Sequence, residues 1–315
     1  MEWIDTHIDT LWDMNKSGRE FYQLAESGHV DLPRAREADL LCGFFTGFPS
    51  DSHFITEKMV RDWIQFTTDP RSNILRIRNY ADVENLQELR KKNPTNKPIG
   101  AVMHFEGAAG IDTELNRLYI YYDVGLRSMG MTWNETNQFA TGQEGDKSRG
   151  LTREGLDLLS AMNDLGILVD VSHLNDKSFW DVANNSTAPI FASHSNVRKL
   201  ANHNRNLLDD MITTIADSGG SIGVNLYKGF LATKPDDATV DSIYDMYREL
   251  ISLTNTKSVH SGADLDGATF PEEIKDIRDL ANLFPKIQEK LSLTDEDMER
   301  ISKGNMMRLM KQVWK

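Results

Sequence analysis

Side chains able to bind a divalent cation recur in short segments along the chain: His7-Ile8-Asp9, Glu106, His173, His194 and Asp264. Alternate residues of a strand point to one face, so His7 and Asp9 would offer an imidazole and a hard carboxylate side by side, a set suited to zinc or a similar divalent ion. Taken alone, the pair also fits a capped strand end. Glu106 closes Met103-His104-Phe105-Glu106 at a glycine-rich turn. Its carboxylate has two oxygens and could bridge two cations, or it could face a helix N-terminus. His173, in Asp170-Val171-Ser172-His173, and His194, in Ala192-Ser193-His194-Ser195, end runs read as adjacent strands. Two imidazoles at one height could hold one ion. Asp264, in Gly262-Ala263-Asp264-Leu265-Asp266-Gly267, stands where a carboxylate can touch a metal and its water and so shuttle a proton. Asp266, before a glycine, reads as a turn residue.

Residues so far apart in sequence need a scaffold that gathers them. Apolar runs over Trp3 to Asp9, Leu41 to Phe48, Ile99 to Glu106, Arg127 to Trp133, Gly166 to His173, Ile190 to His194, Ser221 to Tyr227 and Val259 to Asp264 read as strands. Amphipathic segments lie between them, among them Asp82 to Lys91, Arg153 to Leu165, Leu208 to Asp217 and Asp241 to Leu253. Eight such alternations predict the α/β class and a closed (β/α)8 TIM barrel, whose strands deliver their C-terminal residues to one mouth. A single domain over 1–315 is expected, with a helical insertion around 51–80 in which Trp63, Phe66 and Ile74 share a helical spacing. The second strand is interrupted by Gly43 and Gly47.

Composition narrows the function. With 35 Lys and Arg against 48 Asp and Glu, the net charge of -13 repels a phosphate backbone and argues against nucleic-acid binding. One cysteine, Cys42, allows no intrachain disulfide and reads as a small core residue. The N-terminus enters a strand without a basic and apolar leader, and no run is long enough to span a membrane, so a cytoplasmic location is expected. A homodimer is left open.

In order and spacing, Asp5-Thr6-His7-Ile8-Asp9, Val30-Asp31-Leu32-Pro33-Arg34, Glu106-Gly107, Val171-Ser172-His173, Ser193-His194-Ser195, Arg205-Asn206, Val224-Asn225-Leu226-Tyr227 and Asp264-Leu265-Asp266-Gly267 resemble the membrane (renal) dipeptidase family, peptidase family M19, in a bacterial-type soluble form. The resemblance covers nearly the whole chain. It implies a barrel of the metal-dependent hydrolase type with two zinc ions per chain, one on His7 and Asp9 and one on His173 and His194, with Glu106 bridging. It implies that Asp264 is the catalytic acid/base, that Arg205 receives the substrate's terminal carboxylate through its two-pronged guanidinium, and that Tyr227 lines the pocket. The implied activity is dipeptide hydrolysis by a water activated on the zinc pair, including dipeptides with a C-terminal D-residue.

One segment departs from that pattern. Where many members carry a His in Leu-Thr-His after the fourth strand, this chain has Met131-Thr132-Trp133-Asn134. Trp133 cannot accept a proton or carry a cation and offers one N–H and a stacking face, so Trp133 or Asn134 takes part of the substrate contact, the substrate differs, or Trp133 is a wall residue. The alternative activity is that of an amidohydrolase acting on a lactone, a cyclic amide or an N-acyl amino acid. His104 reads as a polar residue of a barrel layer, His203 as shaping the Arg205 loop, and His29, His53 and His260 have no partner motif.

Overall fold

In the computed structural model, which describes residues 1–315, the expected runs form parallel strands of one sheet. These are β1 (Trp3–Ile8), β2 (Leu40–Gly47), β4 (Ile99–Glu106), β5 (Leu126–Gly130), β6 (Leu168–Asp170), β7 (Ile190–Phe191), β8 (Ile222–Val224) and β9 (Val259–Ser261). A short extra strand, β3 (Ile74–Arg76), pairs with β4 outside this path. The order β7-β6-β5-β4-β2-β1-β9-β8 follows the chain around a ring, and a parallel bridge between Ala192 and Ile222 brings its ends together into a barrel. Every residue of those eight strands is buried, as a parallel sheet covered on both faces requires.

Several strands end earlier than the apolar runs suggest. The runs expected to reach His173, His194, Tyr227 and Asp264 leave the ladder at Asp170, Phe191, Val224 and Ser261. Two of those runs could not have extended to their expected ends, because His173 and Asp264 have φ of 69° and 68°, a left-handed conformation that a strand does not contain. The chemistry therefore sits on the first turns beyond the ladder. β2, by contrast, runs unbroken through both glycines. A Cβ at Gly43 would stand 2.6 Å from Ile8 Cδ1, and one at Gly47 would stand 2.8 Å from Phe105 Cδ1, so close packing rather than a turn selects glycine there.

The insertion is a helix, His53–Thr68, started by Ser52, whose hydroxyl accepts from Ile55 N. Its Trp63 and Phe66 are buried, and the Phe66 ring lies 4.9 Å from Phe21 and 5.0 Å from Phe45. Ile74 does not continue that face. Pro70 forces the extended conformation seen at Asp69 (φ -62°, ψ 123°), the helix stops, and Ile74 falls in β3. Further helices include Tyr80–Lys92, Arg153–Leu165, Asp209–Asp217 and Val240–Leu253. No helix is long and apolar enough to cross a membrane.

Below the mouth, His260 joins three strands through polar contacts. Thr6 Oγ1 donates to Ser193 O at 2.5 Å and lies 3.0 Å from His260 Nε2, while Ser221 Oγ lies 2.7 Å from His260 Nδ1. Burial, with Arg308 nearby, lowers the His260 pKa from 6.5 to about 3. The unfolded chain thus takes up a proton below pH 6.5 that the folded chain refuses until about pH 3, and stability is lost as pH falls through that window. One proton corresponds to a slope of about 1.4 kcal/mol per pH unit. Melting temperature measured from pH 7 to pH 4 should fall more steeply for the native protein than for His260→Gln. Parallel curves would contradict this assignment.

Candidate metal centre

The C-terminal mouth of the barrel gathers His7 from β1, Glu106 from the end of β4, and Asp9, His173, His194 and Asp264 from the turns after β1, β6, β7 and β9. Glu106 Oε1 is the hub: it lies 2.8 Å from His173 Nε2, 3.4 Å from His194 Nε2 and 3.5 Å from His7 Nε2. His7 Nε2 is also 3.4 Å from Asp9 Oδ2. Two sets bring their ligand atoms within 4.8 Å of one another: His7, Glu106 and His194, and His7, Asp9 and Asp264. His7 thus stands in both sets, whereas the sequence resemblance implies that it shares an ion with Asp9 and the bridging Glu106 and not with His194.

The proton positions in this cluster follow from its neighbours. Asn134 Oδ1 lies 2.8 Å from His173 Nδ1 and can only accept, so Nδ1 carries the proton and Nε2 turns a lone pair inward. Ser193 Oγ donates to Asp170 Oδ2 at 2.6 Å and therefore accepts from His194 Nδ1 at 2.7 Å, which leaves the His194 Nε2 lone pair inward as well. These two lone pairs face each other at 3.0 Å, beside a carboxylate. Such an arrangement is repulsive unless positive charge is supplied, and Arg205 Nη2, 2.8 Å from His194 Nε2, supplies part of it. Both ring nitrogens of His7 and Asp9 Oδ1 are buried without a hydrogen-bond partner. Neutral imidazoles with oriented outer nitrogens, a central carboxylate and unpaired buried donor atoms fit divalent metal ions.

Titration shifts point the same way. Burial drives the Glu106 carboxyl well above its usual range, with Asp9 and Asp264 adding to the shift against the opposing pull of His7. Burial also raises Asp264 to about 6. His173 and His194 are held neutral, first by burial and then by the neighbouring Arg205 and His7. At His7 burial opposes protonation, but Glu106 and Asp9 outweigh it and push the imidazole to about 10. The cluster attracts positive charge.

Arg205 is 4% exposed, and its only side-chain hydrogen bonds run from Nη2 to His194 Nε2 and, at 3.4 Å, to His194 O. Its Nε has no partner and no carboxylate pairs with it, so a buried guanidinium is left facing a cavity of about 290 Å³. His203 Nδ1 accepts from Arg205 N and shapes that turn. Tyr227, Trp133 and Asn134 line the same cavity. Asn134, expected at the substrate, also orients His173. Asp264 Oδ2 accepts from Asn225 Nδ2 at 3.1 Å, which leaves Oδ1 to the cavity. His104 sits one layer down, 2.9 Å from Ser128 Oγ. His53 contacts Gly110 O, and His29 stacks on Phe270.

Several participants carry no signal in a lone sequence. Asp170, Ser193 and Asn225 act through other side chains, and Trp12, Phe48 and Phe230 complete the cavity wall. Trp12 could have been found, since it lies one helical turn beyond Asp9. Asp266 is a turn residue with φ of 66°, but its buried carboxylate also accepts from Thr10 Oγ1 at 2.5 Å and Arg19 Nη2 at 2.6 Å, tying the 19–30 segment to the mouth. Gly267 is required by space, because a Cβ there would collide with Asp9 Oδ2 and crowd Asp264 Oδ1 at 2.6 Å. Gly267→Ala should weaken zinc binding by about 10- to 100-fold in a chelator competition, as loss of ligand orientation does elsewhere. Unchanged affinity would show that the carboxylates can yield.

Comparison with known proteins places this geometry. The family model described as membrane dipeptidase (peptidase family M19) matches residues 1–315. A solved dipeptidase AC of family M19 is 28% identical, with a TM-score of 0.90 over 100% of this chain and 99% of that one. A metallo peptidase from Rhodobacter sphaeroides, solved with a phosphinate mimic of the dipeptide L-Ala-D-Ala, is 27% identical, with a TM-score of 0.89 over the same shares. An uncharacterized dipeptidase of Schizosaccharomyces pombe is 29% identical over 99% of this chain and 79% of its own length.

Proposed function

The chain belongs to the membrane dipeptidase family, peptidase family M19, and is a metal-dependent dipeptidase; from that premise we propose that it hydrolyses free dipeptides, including those with a C-terminal D-residue, with two zinc ions per chain. His7, Asp9, Glu106, His173 and His194 would hold the ions, with Glu106 shared. When bound, the ions polarise the scissile carbonyl and bring the pKa of water to about 7. Arg205 anchors the substrate's C-terminal carboxylate through two parallel N–H donors and so sets the distance between that terminus and the scissile bond. Asp264 Oδ1 takes a proton from the attacking water and delivers it to the departing amine, while Asn225 holds Oδ2 still. Asn134 and Ser193 keep the two inward imidazole nitrogens free of protons. Tyr227 closes the carboxylate side of the cavity.

The observation that carries this reading is the buried, carboxylate-free Arg205 beside three imidazoles and Glu106. An endopeptidase has no use for such an anchor. The test is a panel of L,L and L,D dipeptides with free or amidated C-termini, assayed with the zinc-loaded protein. Free acids should be cleaved at least about 100-fold faster, the scale of a lost charge-assisted contact. Equal cleavage of acids and amides would remove Arg205 from this role.

A further inference from the structure

The cavity has two unlike sides, separated by the ligand cluster. Rings and charges form an arc in which Trp12 lies 6.3 Å from Phe48, Phe48 5.3 Å from Trp133, and Trp133 6.2 Å from His173. Beyond His173 come His194, at 5.0 Å between ring centroids, then Arg205, and then Phe230, whose ring centroid is 5.3 Å from the guanidinium carbon. A substrate whose carboxylate rests on Arg205 and whose scissile bond lies over the ligands must turn its N-terminal residue toward Trp12, Phe48 and Trp133. No Lys or Arg lines that side. Asp9 and Asp264 border it, and Lys16 is engaged 4.6 Å from the Trp12 ring centroid.

The ring pair nearest the ligands is not braced by packed core. Phe48 and Trp133 also line a second cavity, of about 250 Å³, which includes Ser50, Asp51, Gly107 and Glu135. The pair is therefore a partition between two spaces, with room to shift as a side chain presses on it. Where an imidazole would offer a small polar edge, the indole offers a wide apolar face.

We propose that the Trp12–Phe48–Trp133 arc is the subsite for the side chain of the N-terminal residue, that it selects large apolar and above all aromatic side chains, and that Trp133 is its specificity-determining residue. The proposal rests on the dipeptidase reading with Arg205 at the carboxylate end. An aromatic side chain stacks in the arc and removes apolar surface from water. A small one leaves the arc wet, and an acidic one brings its charge against the rings with no Lys or Arg lining that side to pair with it.

The experiment compares kcat/KM of the zinc-loaded enzyme on Gly-Gly, Ala-Gly, Leu-Gly, Phe-Gly and Glu-Gly. Phe-Gly should exceed Ala-Gly by about tenfold or more, within the range that differences in apolar contact produce, and Glu-Gly should be the poorest. In Trp133→Ala the Phe-Gly to Ala-Gly ratio should fall at least about fivefold, with most of the change in KM, since the contact is made in ground and transition states alike. Trp133→Phe should restore most of the ratio, and it keeps the test decisive if the alanine variant does not fold. A native ratio near one, or a ratio untouched in both variants, overturns the subsite while the dipeptidase reading stands. Cleavage of none of the five overturns both.

Discussion

Asp264→Asn is expected to lower kcat on the preferred dipeptide by about 10²- to 10⁴-fold, the usual share of a positioned proton carrier, with little change in KM. The variant preserves shape. The amide oxygen introduced by the substitution can still accept from Asn225 Nδ2, so the turn with φ of 68° and its surroundings stay in place. Only the capacity to take and release a proton is lost. Asp264 also lies close to His7 and Asp9, where a carboxylate could serve as a metal ligand instead. Metal content separates the two roles. A variant that keeps the native zinc content and loses turnover identifies a proton carrier, and one that loses zinc in proportion to activity identifies a ligand.

The residues legible in the sequence are those that combine a rare chemistry with a strand end: His7, Asp9, Glu106, His173, His194 and Asp264 all reach the mouth. The barrel was legible for a related reason, since buried parallel strands leave unbroken apolar runs that count themselves. The lengths of those runs misled where apolar residues continue past the ladder. Val171 and Ala192 are buried by the mouth as thoroughly as if they were strand, and only the backbone turn at His173 reveals the difference. Ile74 kept a helical spacing across Pro70, which no helix follows through. What could not be read at all is the partner of each functional side chain. That Asn134 holds His173, that Asp170 fixes the Ser193 hydroxyl against His194, and that Phe48 backs Trp133 are facts of tertiary packing between segments separated in sequence. The departure at Trp133 was visible as a residue type, but its meaning depends on Phe48 and Trp12, which the sequence does not place beside it.

Glu106→Gln should cost stability only when metal is bound. Glu106 is buried, and burial drives its carboxyl well above the usual range even against the His7 imidazolium, so the metal-free protein favours the protonated acid. An amide has the shape of the protonated acid, so the melting temperature in chelator should change little. With metal bound the substitution becomes costly, because the native carboxylate would then be the shared anionic ligand and the amide would not. The native protein should gain melting temperature on addition of zinc in proportion to the logarithm of free zinc, and the variant should gain little. Its zinc content should fall below one ion per chain after dialysis, and its activity should fall by at least about 10³-fold, as expected when the metal chemistry is removed rather than misaligned. Thermal melts of both proteins with and without zinc test this without reference to turnover. A variant that melts below the native protein in chelator, and still takes up two ions, would mean that Glu106 supports the barrel rather than the metals.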